Sequence, residues 1–297
     1  MSDDLQFLLA LVLSGASIGL MYSLIALGFV LVYKATDAIN FAQGEFVMLA
    51  GMIVVTVLGA EAPLIAAIVV VLLAMIGFGF GLERVVLRPL LGRPVVAVIM
   101  ATIGVAALLR GWGPLVLGIE TRNLPLPIGD EPINIGPATL PPIQVLGAVV
   151  AVVFFIVFSW FFKKSRMGVA MRAVADNQQV AQAMGINVER YFALAWAMAG
   201  IVSALGGIVW GAMLGVDVQL ALVGLKVFPV VILGGLDSIG GALIGGLIIG
   251  IVESLAAGYL DPYVGGGTKD FAPYVLMILV LMVRPYGIFG RRQIERV

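Results

Sequence analysis

The chain has 297 residues, of which 62% are hydrophobic and only 11% are charged, and its mean hydropathy is +1.14. Soluble domains contain roughly 45–50% apolar and about 25% charged residues, so this composition excludes an ordinary soluble fold. The sequence has no cysteine and no histidine, which excludes disulfides, thiolate chemistry, Ser–His nucleophiles and His-based zinc sites. The formal net charge is zero and gives no indication of nucleic-acid binding.

The apolar runs predict an all-α integral membrane protein, a polytopic bundle of about eight spans, since each span needs roughly 20 apolar residues. The runs lie at 7–32, 42–59, 63–82, 95–113, 143–162, 191–214, 225–257 and 272–284. The N-terminal MSDDLQ is acidic, whereas a secretory signal begins with basic residues, so we expect the first run to be a retained helix. One transmembrane domain over residues 1–297 is therefore expected.

The charged residues between the runs predict the orientation. Thirteen of the 17 Lys and Arg residues lie in the linkers 33–44, 83–94 and 163–190 and in the tail from residue 284. The intervening segments are acidic and include Asp3, Asp4, Glu61, Glu120, Asp130, Glu131, Asp217, Asp261 and Asp270. By the positive-inside rule, the N-terminus lies outside, and residues 163–190 and the C-terminus lie in the cytoplasm.

The run 225–257 is expected to be broken or re-entrant. Acidic segments predicted to lie outside flank it at Asp217 and Asp261, yet 33 residues are short for two full crossings. Its middle, LGGLDSIGG, is rich in helix breakers, with Asp237 at the expected turn. Irregular backbone at membrane depth survives only when protein or a water-filled cavity surrounds it, so this element is expected inside the bundle. The Pro-rich stretch 114–142 is interpreted either as a solvated outer loop or as a dock for an extracellular partner.

Small residues at every fourth position predict close helix packing. One stripe consists of Ala195, Ala199, Ser203, Gly207, Gly211 and Gly215. A second consists of Ala242, Gly246 and Gly250, with Glu253 close to the same face.

Charged residues within or beside apolar runs are candidate pathway residues, because such groups are costly in the bilayer and usually face an interior. They are Glu45, Lys226, Asp237 and Glu253. The densest polar segment is INFAQGEF, residues 39–46, which contains Asn40 and Gln43. It is either an interfacial cap for the second helix or part of a translocation path or gate. For Glu253, the alternative to a path role is a structural hydrogen bond to backbone or to Ser254.

The linker 163–190 predicts a pair of short amphipathic helices that ends at Gly185 in C-cap style. The apolar side consists of Val169, Ala173, Val180, Ala183 and Met184. Such a helix pair facing the cytoplasm is typical of a docking surface. The alternative is a helix lying on the membrane, although its polar side carries little net positive charge.

Four segments in the same order resemble the permeases of branched-chain amino acid ABC importers (LivH type). GVAMRAVADNQQVAQAMGI (168–186) is similar to the cytoplasmic coupling loop of ABC importer permeases. SLIALGFVLVYKATDAINFAQGEFVMLAG resembles the N-terminal signature of the family, VFPVVILGGLDSIGGALIGG its Gly-rich segment and VRPYGIFG its C-terminus. One departure is Gln43, where the family often has His, so a titratable group is lost while the polar character remains.

The resemblance implies a bacterial inner-membrane importer subunit that works with a second, related permease, two cytoplasmic ATPases and a periplasmic solute-binding protein. It implies coupling to the ATPases through Gly168, Arg172, Ala173, Asp176, Asn177, Ala181, Gly185 and Ile186. It implies a path or gate that includes Asn40, Gln43, Gly44, Glu45 and Asp237, with Glu253 as a further member. No cofactor or metal is implied.

The sequence supports the same division of labour independently, because no lysine follows a glycine and the Gly-Lys of a Walker A phosphate site is therefore missing. ATP hydrolysis is thus expected on separate chains. The expected substrates are branched-chain or other small neutral amino acids; urea, short amides or aromatic acids are the alternative for the same type of permease. A self-powered transporter or channel and a two-aspartate intramembrane enzyme are the other hypotheses.

Overall fold

The computed structural model describes residues 3–118, 120–129 and 131–290, and these are mostly helical. Of the charged residues used to predict orientation, Asp130, Arg291, Arg292 and Arg296 lie outside this part of the chain. The helices are α1 Asp3–Thr36, α2 Gln43–Gly59, α3 Leu64–Leu82, α4 Val95–Leu117, α5 Pro142–Lys164, α6 Arg166–Asp176, α7 Gln178–Ala183, α8 Val188–Leu214, α9 Leu222–Gly234, α10 Ile239–Tyr259, α11 Asp261–Val264 and α12 Thr268–Val283. Two short strands, β1 Ile133–Ile135 and β2 Ala138–Leu140, form an antiparallel hairpin in the Pro-rich segment.

Within the described residues, six helices are long and apolar enough to cross a membrane. They are α1, α3 with its continuation to Leu90, α4, α5, α8 and α10. α2 and the segment Val218–Gly234 are apolar but shorter. The predicted class, a helical multi-pass membrane protein, is confirmed, whereas the count of about eight spans is not.

Prolines mark the starts of several helices. Pro63 and Pro94 directly precede α3 and α4, and α5 begins at Pro142. Proline is tolerated there because the first helical N–H groups have no partner within the helix. The boundaries of the predicted runs therefore follow these breakers closely.

One compact unit contains the described residues up to Val30, residues 127–151 and those from Leu225 onward. Its core includes the crossing of α1 and α10, where glycines remove the side chains between two backbones. A Cβ atom at Gly250 would lie 2.3 Å from the Gly15 carbonyl oxygen, and one at Gly15 would lie 2.6 Å from the Gly250 carbonyl oxygen. Ser23 Oγ also donates to the Leu243 carbonyl oxygen at 3.2 Å, so the two helices are joined by a polar contact as well.

The second unit contains residues 31–126 and 152–224, and α8 is its central helix. α8 packs against α2 and α3, again through glycines. A Cβ atom at Gly200 of α8 would lie 2.2 Å from the Met75 carbonyl oxygen, and one at Gly79 of α3 would lie 2.4 Å from the Trp196 carbonyl oxygen. Trp196 is fully buried. Small residues on both partners therefore set the spacing of these helices.

The apolar run 225–257 is interrupted as predicted, by four residues that separate α9 from α10. Gly235 has a φ of +101°, a conformation that favours glycine. Ser238 caps α10 by accepting a hydrogen bond from the Gly241 N–H at 3.0 Å. The result is a 13-residue helix, α9, followed by the 21-residue α10, with Asp237 in the turn between them.

The first small-residue stripe is shorter than predicted. α8 ends at Leu214, and Gly215 follows it with a φ of +85°, so Gly215 belongs to the turn and not to the helix surface. The turn is held by a bridge between Arg122 and Val216. At this position glycine is favoured because it adopts a positive φ after the helix, and not because another helix packs against it. The spacing of small residues in the sequence could not distinguish these two roles.

Candidate translocation and coupling sites

The segment before α2 forms a buried hydrogen-bonded cluster that we call the Asn40 cluster: Asn40, Gln43 and Ser203. Asn40 Nδ2 donates to Gln43 Oε1 at 3.1 Å, and Gln43 Nε2 donates to Ser203 Oγ at 2.9 Å. Ser203 Oγ in turn donates to the Ala199 carbonyl oxygen. All three cluster side chains are fully buried, so the cluster ties the start of α2 to the middle of α8. Ser203, which the sequence suggested only as a packing residue, is therefore a hydrogen-bond partner of a candidate path residue.

Glu45 forms an ion pair with Arg110 of α4. Both Nε and a terminal nitrogen of the guanidinium lie 2.5 Å from Glu45 Oε1. The Glu45 side chain is 1% exposed, whereas that of Arg110 is 46% exposed. Sequence reasoning missed Arg110, although a lone arginine near the end of an apolar run is a signal for such a partner.

Gly44 allows the start of α2 to approach the segment that leads into α9. A Cβ atom at Gly44 would lie 2.1 Å from the Ala221 carbonyl oxygen, and one at Gly224 would lie 2.5 Å from Gly44 Cα. The two backbones are thus in direct contact. Any larger residue at Gly44 would displace the segment beside the Asn40 cluster and Glu45.

In the other unit, Glu253 belongs to a charged cluster that includes residues from four helices. Tyr22 of α1 donates its hydroxyl hydrogen to Glu253 Oε1 at 3.2 Å. Lys226 Nζ lies 3.9 Å from Glu253 Oε1 and 2.6 Å from Asp270 Oδ1. Tyr274 donates to the Leu225 carbonyl oxygen. The expected structural partners of Glu253, the backbone or Ser254, are replaced by Tyr22 and Lys226, because α1 and α9 pack against its face of α10.

Asp237 lies half-buried in the turn between α9 and α10. The residues that end α9 also receive the C-terminal segment: Ile288 N–H donates to the Leu233 carbonyl oxygen at 2.8 Å, and Phe289 N–H donates to that of Gly234. The similarity of VRPYGIFG to the family C-terminus thus corresponds to a segment that satisfies the open end of a broken helix.

The linker 163–190 contains two short helices, as predicted, joined at Asn177. Ser165 caps α6 through the Gly168 N–H, and Asn177 caps α7 through the Val180 N–H. Gly185 follows α7 with a φ of +82°. The Gly185 N–H donates to the Gln182 carbonyl oxygen and the Ile186 N–H to that of Ala181, which is the Schellman pattern. The predicted left-handed turn at Gly185 is confirmed.

This linker is anchored to the membrane-spanning helices by its inner face. Arg172 donates to the Phe162 carbonyl oxygen and lies over the Phe162 ring, 5.5 Å from its centroid. A Cβ atom at Gly168 would lie 2.7 Å from the Phe161 carbonyl oxygen, so α6 approaches the end of α5 directly. Gln178 Nε2 donates to the Ala35 carbonyl oxygen at the end of α1.

The outer face of the linker is exposed and partly apolar. Val169, Val180 and Met184 are 51%, 58% and 78% exposed. Asp176, Asn177 and Gly185 are exposed as well, Ala173 and Ile186 are half-buried, and Ala181 is buried. The apolar side predicted from the spacing is thus mainly the outward one, while the buried contacts come from Gly168, Met171 and Val174. The residue types alone could not separate these two faces.

The glycines of the two stripes lie at helix contacts or turns within their own units. A Cβ atom at Gly207 would lie 2.6 Å from the Val47 carbonyl oxygen of α2, and one at Gly211 would lie 2.8 Å from a methyl carbon of Val216. A Cβ atom at Gly246 would lie 2.5 Å from the Gly19 carbonyl oxygen. These residues set backbone spacing and offer no chemical group to a solute.

Comparisons with known proteins give the family. Residues 11–281 match the family model described as branched-chain amino acid transport system / permease component. The chain is 32% identical to the high-affinity branched-chain amino acid transport system permease protein LivH of Escherichia coli, with both chains covered completely. It is 32% identical to the corresponding permease protein BraD of Pseudomonas aeruginosa, with 96% of each chain covered. A solved structure, PsaBC from Streptococcus pneumoniae in complex with Fab, shares the fold with a TM-score of 0.51 at 14% identity, covering 95% of this chain and 94% of that one. The chain therefore belongs to the family of branched-chain amino acid transport permease components, and it is a multi-pass membrane protein.

Proposed function

We propose that this chain is one permease subunit of an ATP-binding-cassette importer for branched-chain amino acids. The observation that carries the proposal is the full-length similarity to LivH and BraD, whose names state this substrate class. In the proposed complex a second, related permease completes the path, two cytoplasmic ATPases supply the energy, and a periplasmic binding protein delivers the solute. The N-terminus lies outside, and residues 163–190 and the C-terminus lie in the cytoplasm.

The linker 163–190 is the proposed contact with the ATPases. Its inner face is fixed to the ends of α1 and α5 through Gln178 and Arg172, whereas its outer face leaves apolar side chains uncovered. A helix pair that is hydrogen-bonded to the spanning helices on one side and has an open apolar side on the other suits docking of a partner and transfer of its movement to the helices. Gly168, Arg172, Ala173, Asp176, Asn177, Ala181, Gly185 and Ile186 are the residues proposed to act here.

The path or gate is proposed to include Asn40, Gln43, Gly44, Glu45, Asp237 and Glu253. In the structure, Asn40, Gln43 and Glu45 are buried polar groups with partners, which is how polar groups are kept at membrane depth. We propose that these side chains exchange their present hydrogen-bond and ion-pair partners for the charged groups of a zwitterionic solute as it passes. Glu45→Gln and Asp237→Asn should lower transport more than they lower assembly.

The test of function is uptake of radiolabelled leucine by proteoliposomes containing the complete complex with its binding protein. Uptake should require ATP together with the ATPase subunits, and unlabelled isoleucine and valine should compete with the label. Uptake that persists without the ATPases, or a binding protein that retains urea, an amide or an aromatic acid in preference to leucine, would contradict the proposal.

Orientation is tested by labelling single cysteines, which is direct because the sequence has none. Asp176→Cys should react with an impermeant maleimide only after the cells are opened, and the matched Glu120→Cys should react in intact cells. Labelling of Asp176→Cys in intact cells would reverse the assignment.

A further inference from the structure

We infer that a partly open cavity lined by residues of the second unit is a regulatory binding site for a zwitterionic aliphatic amino acid on the cytoplasmic side. The inference rests on the proposed function, because both the ligand class and the side of the membrane come from it. The cavity has a volume of about 260 Å³ and lies beside the predicted cytoplasmic linkers 33–44, 83–94 and 163–190. Gln178 is the one lining residue from the linker 163–190, and none of the residues proposed to form the path or to act in coupling lines the cavity.

The cavity has the size and apolar character that a leucine-sized ligand needs. Pockets for drug-sized ligands occupy about 300–1,000 Å³, so a slightly smaller volume suits a single amino acid. The apolar part of the lining is formed by leucine and valine side chains of 87–98 together with Phe192 and Trp196. An apolar wall of this kind accepts a branched aliphatic side chain and offers little to a small hydrophilic solute.

The charged groups of the lining complement a zwitterion. Asp37 and Arg93 both line the cavity, and among residues 3–118, 120–129 and 131–290 neither side chain has an ion-pair partner. A carboxylate is a natural partner for an α-ammonium group, and a guanidinium binds an α-carboxylate in a bidentate manner. Partial burial raises the pKa of the Asp37 carboxyl, as expected for an acid near apolar atoms without a cation beside it.

Glu83, the other acid of the lining, already has an ion-pair partner. Arg88 binds both of its carboxylate oxygens, at 3.2 Å and 3.0 Å, and the Glu83 side chain is 2% exposed. Arg88 also pairs with Glu189 at 3.2 Å, at the start of α8. The charged lining residues that have no ion-pair partner among the described residues are therefore one acid, Asp37, and one base, Arg93, which together match a zwitterion.

One residue of the lining, Trp196, has a hydrogen-bond donor without a partner. Trp196 is fully buried, and its indole N–H has no hydrogen-bond partner among the described residues. A buried polar group without a partner is costly and calls for an explanation. Under this inference, the explanation is a bound ligand whose acceptor oxygen receives the indole N–H.

The position of the cavity indicates what occupancy would do. Gln178 lines it and also donates to the Ala35 carbonyl oxygen, so the proposed coupling linker forms part of its wall. A ligand that bridges Asp37 and Arg93 beside Gln178 would hold this linker in one position. Accumulated amino acid in the cytoplasm would thereby slow further import.

The experiment uses proteoliposomes of the complete complex, either empty or preloaded with unlabelled leucine, with the initial rate of ATP-driven uptake as readout. Preloading should lower the initial rate at least threefold, and preloaded glycine, which lacks an apolar side chain, should have little effect. Asp37→Asn, Arg93→Gln and the cavity-filling Val98→Trp should keep the rate of empty vesicles and lose the inhibition. Arg84→Gln, an exposed neighbour outside the cavity lining, should keep both.

The outcomes separate this inference from the proposed function. Normal uptake in empty vesicles with no effect of internal leucine overturns the regulatory site and leaves the import function standing. Loss of uptake in empty Asp37→Asn and Arg93→Gln vesicles that assemble normally also overturns it, since the cavity would then belong to the path. If the complex imports no leucine at all, the proposed function fails, and calorimetric titration of the purified complex with leucine still decides whether the cavity binds it. A lipid retained in the cavity, seen by native mass spectrometry and not displaced by leucine, contradicts the inference as well.

Discussion

The ion pair between Glu45 and Arg110 predicts an asymmetric response to removal of its two members. Arg110→Gln leaves a carboxylate that is 1% exposed without its cation, whereas Glu45→Gln leaves a guanidinium that is 46% exposed and can remain hydrated. Breaking a buried pair costs about 3–5 kcal/mol. Because water reaches Arg110, we expect the lower end, about 3 kcal/mol, for Arg110→Gln, which is about a hundredfold in the unfolding equilibrium.

Glu45→Gln should cost less, about 1.5 kcal/mol, which corresponds to loss of one charge-assisted hydrogen bond. The double variant should be more stable than Arg110→Gln alone, because it no longer contains the buried unpaired charge. The free energy of unfolding is measured by denaturant titration of the purified permease in detergent, alongside leucine uptake by the reconstituted complex. Arg84→Gln is the matched control, as Arg84 is exposed and forms no ion pair within the described part of the chain. Equal costs for the two single variants, or a double variant as unstable as their sum, would refute the reasoning.

Three further predictions follow from contacts in the two units. Gly250→Val should prevent the permease from folding to a monodisperse species in detergent, because its Cβ would lie 2.3 Å from the Gly15 carbonyl oxygen. Gly240→Val on the same helix meets no atom within 4 Å and should elute normally in size-exclusion chromatography. Equal elution profiles of the two variants would contradict the packing argument. Gly185→Val and Gly265→Val place a β-branched residue at a φ of +82° and +85°, each in open space, so each variant should lose about 1–3 kcal/mol of folding stability. Only Gly185→Val should uncouple ATP hydrolysis from uptake. Equal losses of coupling in both variants would contradict the linker's proposed role. The Thr268 N–H and hydroxyl both donate to Asp261 and lower the pKa of its carboxyl. This contact therefore stabilises the start of α12 fully when the pH is above the ordinary Asp pKa, and the stabilisation is lost as the pH falls through the lowered pKa. Hydrogen exchange of residues 261–270 should therefore be faster in Thr268→Val than in the unmodified chain at neutral pH and equal in strongly acidic buffer, and a difference that persists in acid would exclude this linkage.

The sequence by itself was sufficient for the class of protein, the family and most helix boundaries. Apolar runs and prolines act locally, so α3, α4 and α5 begin at or next to Pro63, Pro94 and Pro142 as the pattern predicts. The break at 235–238 and the left-handed turn at Gly185 were likewise predictable, because glycine-rich breakers and helix caps depend on neighbouring residues only. The candidate path residues Glu45 and Glu253 were also identified as buried acids from their surroundings in the chain.

The tertiary structure decided which groups meet. Arg110 lies 65 residues from Glu45 and Tyr22 lies 231 residues from Glu253, and no periodicity connects residues so far apart. Likewise, spacing could not show that Gly215 turns the chain after α8 while Gly207 packs on α2, because both roles favour glycine. The outward position of Val180 and the formation of a cavity near Gln178 follow from how whole helices pack. Hydrophobic pattern is a property of single segments, whereas ion pairs, cavities and exposed faces arise only when distant segments share space.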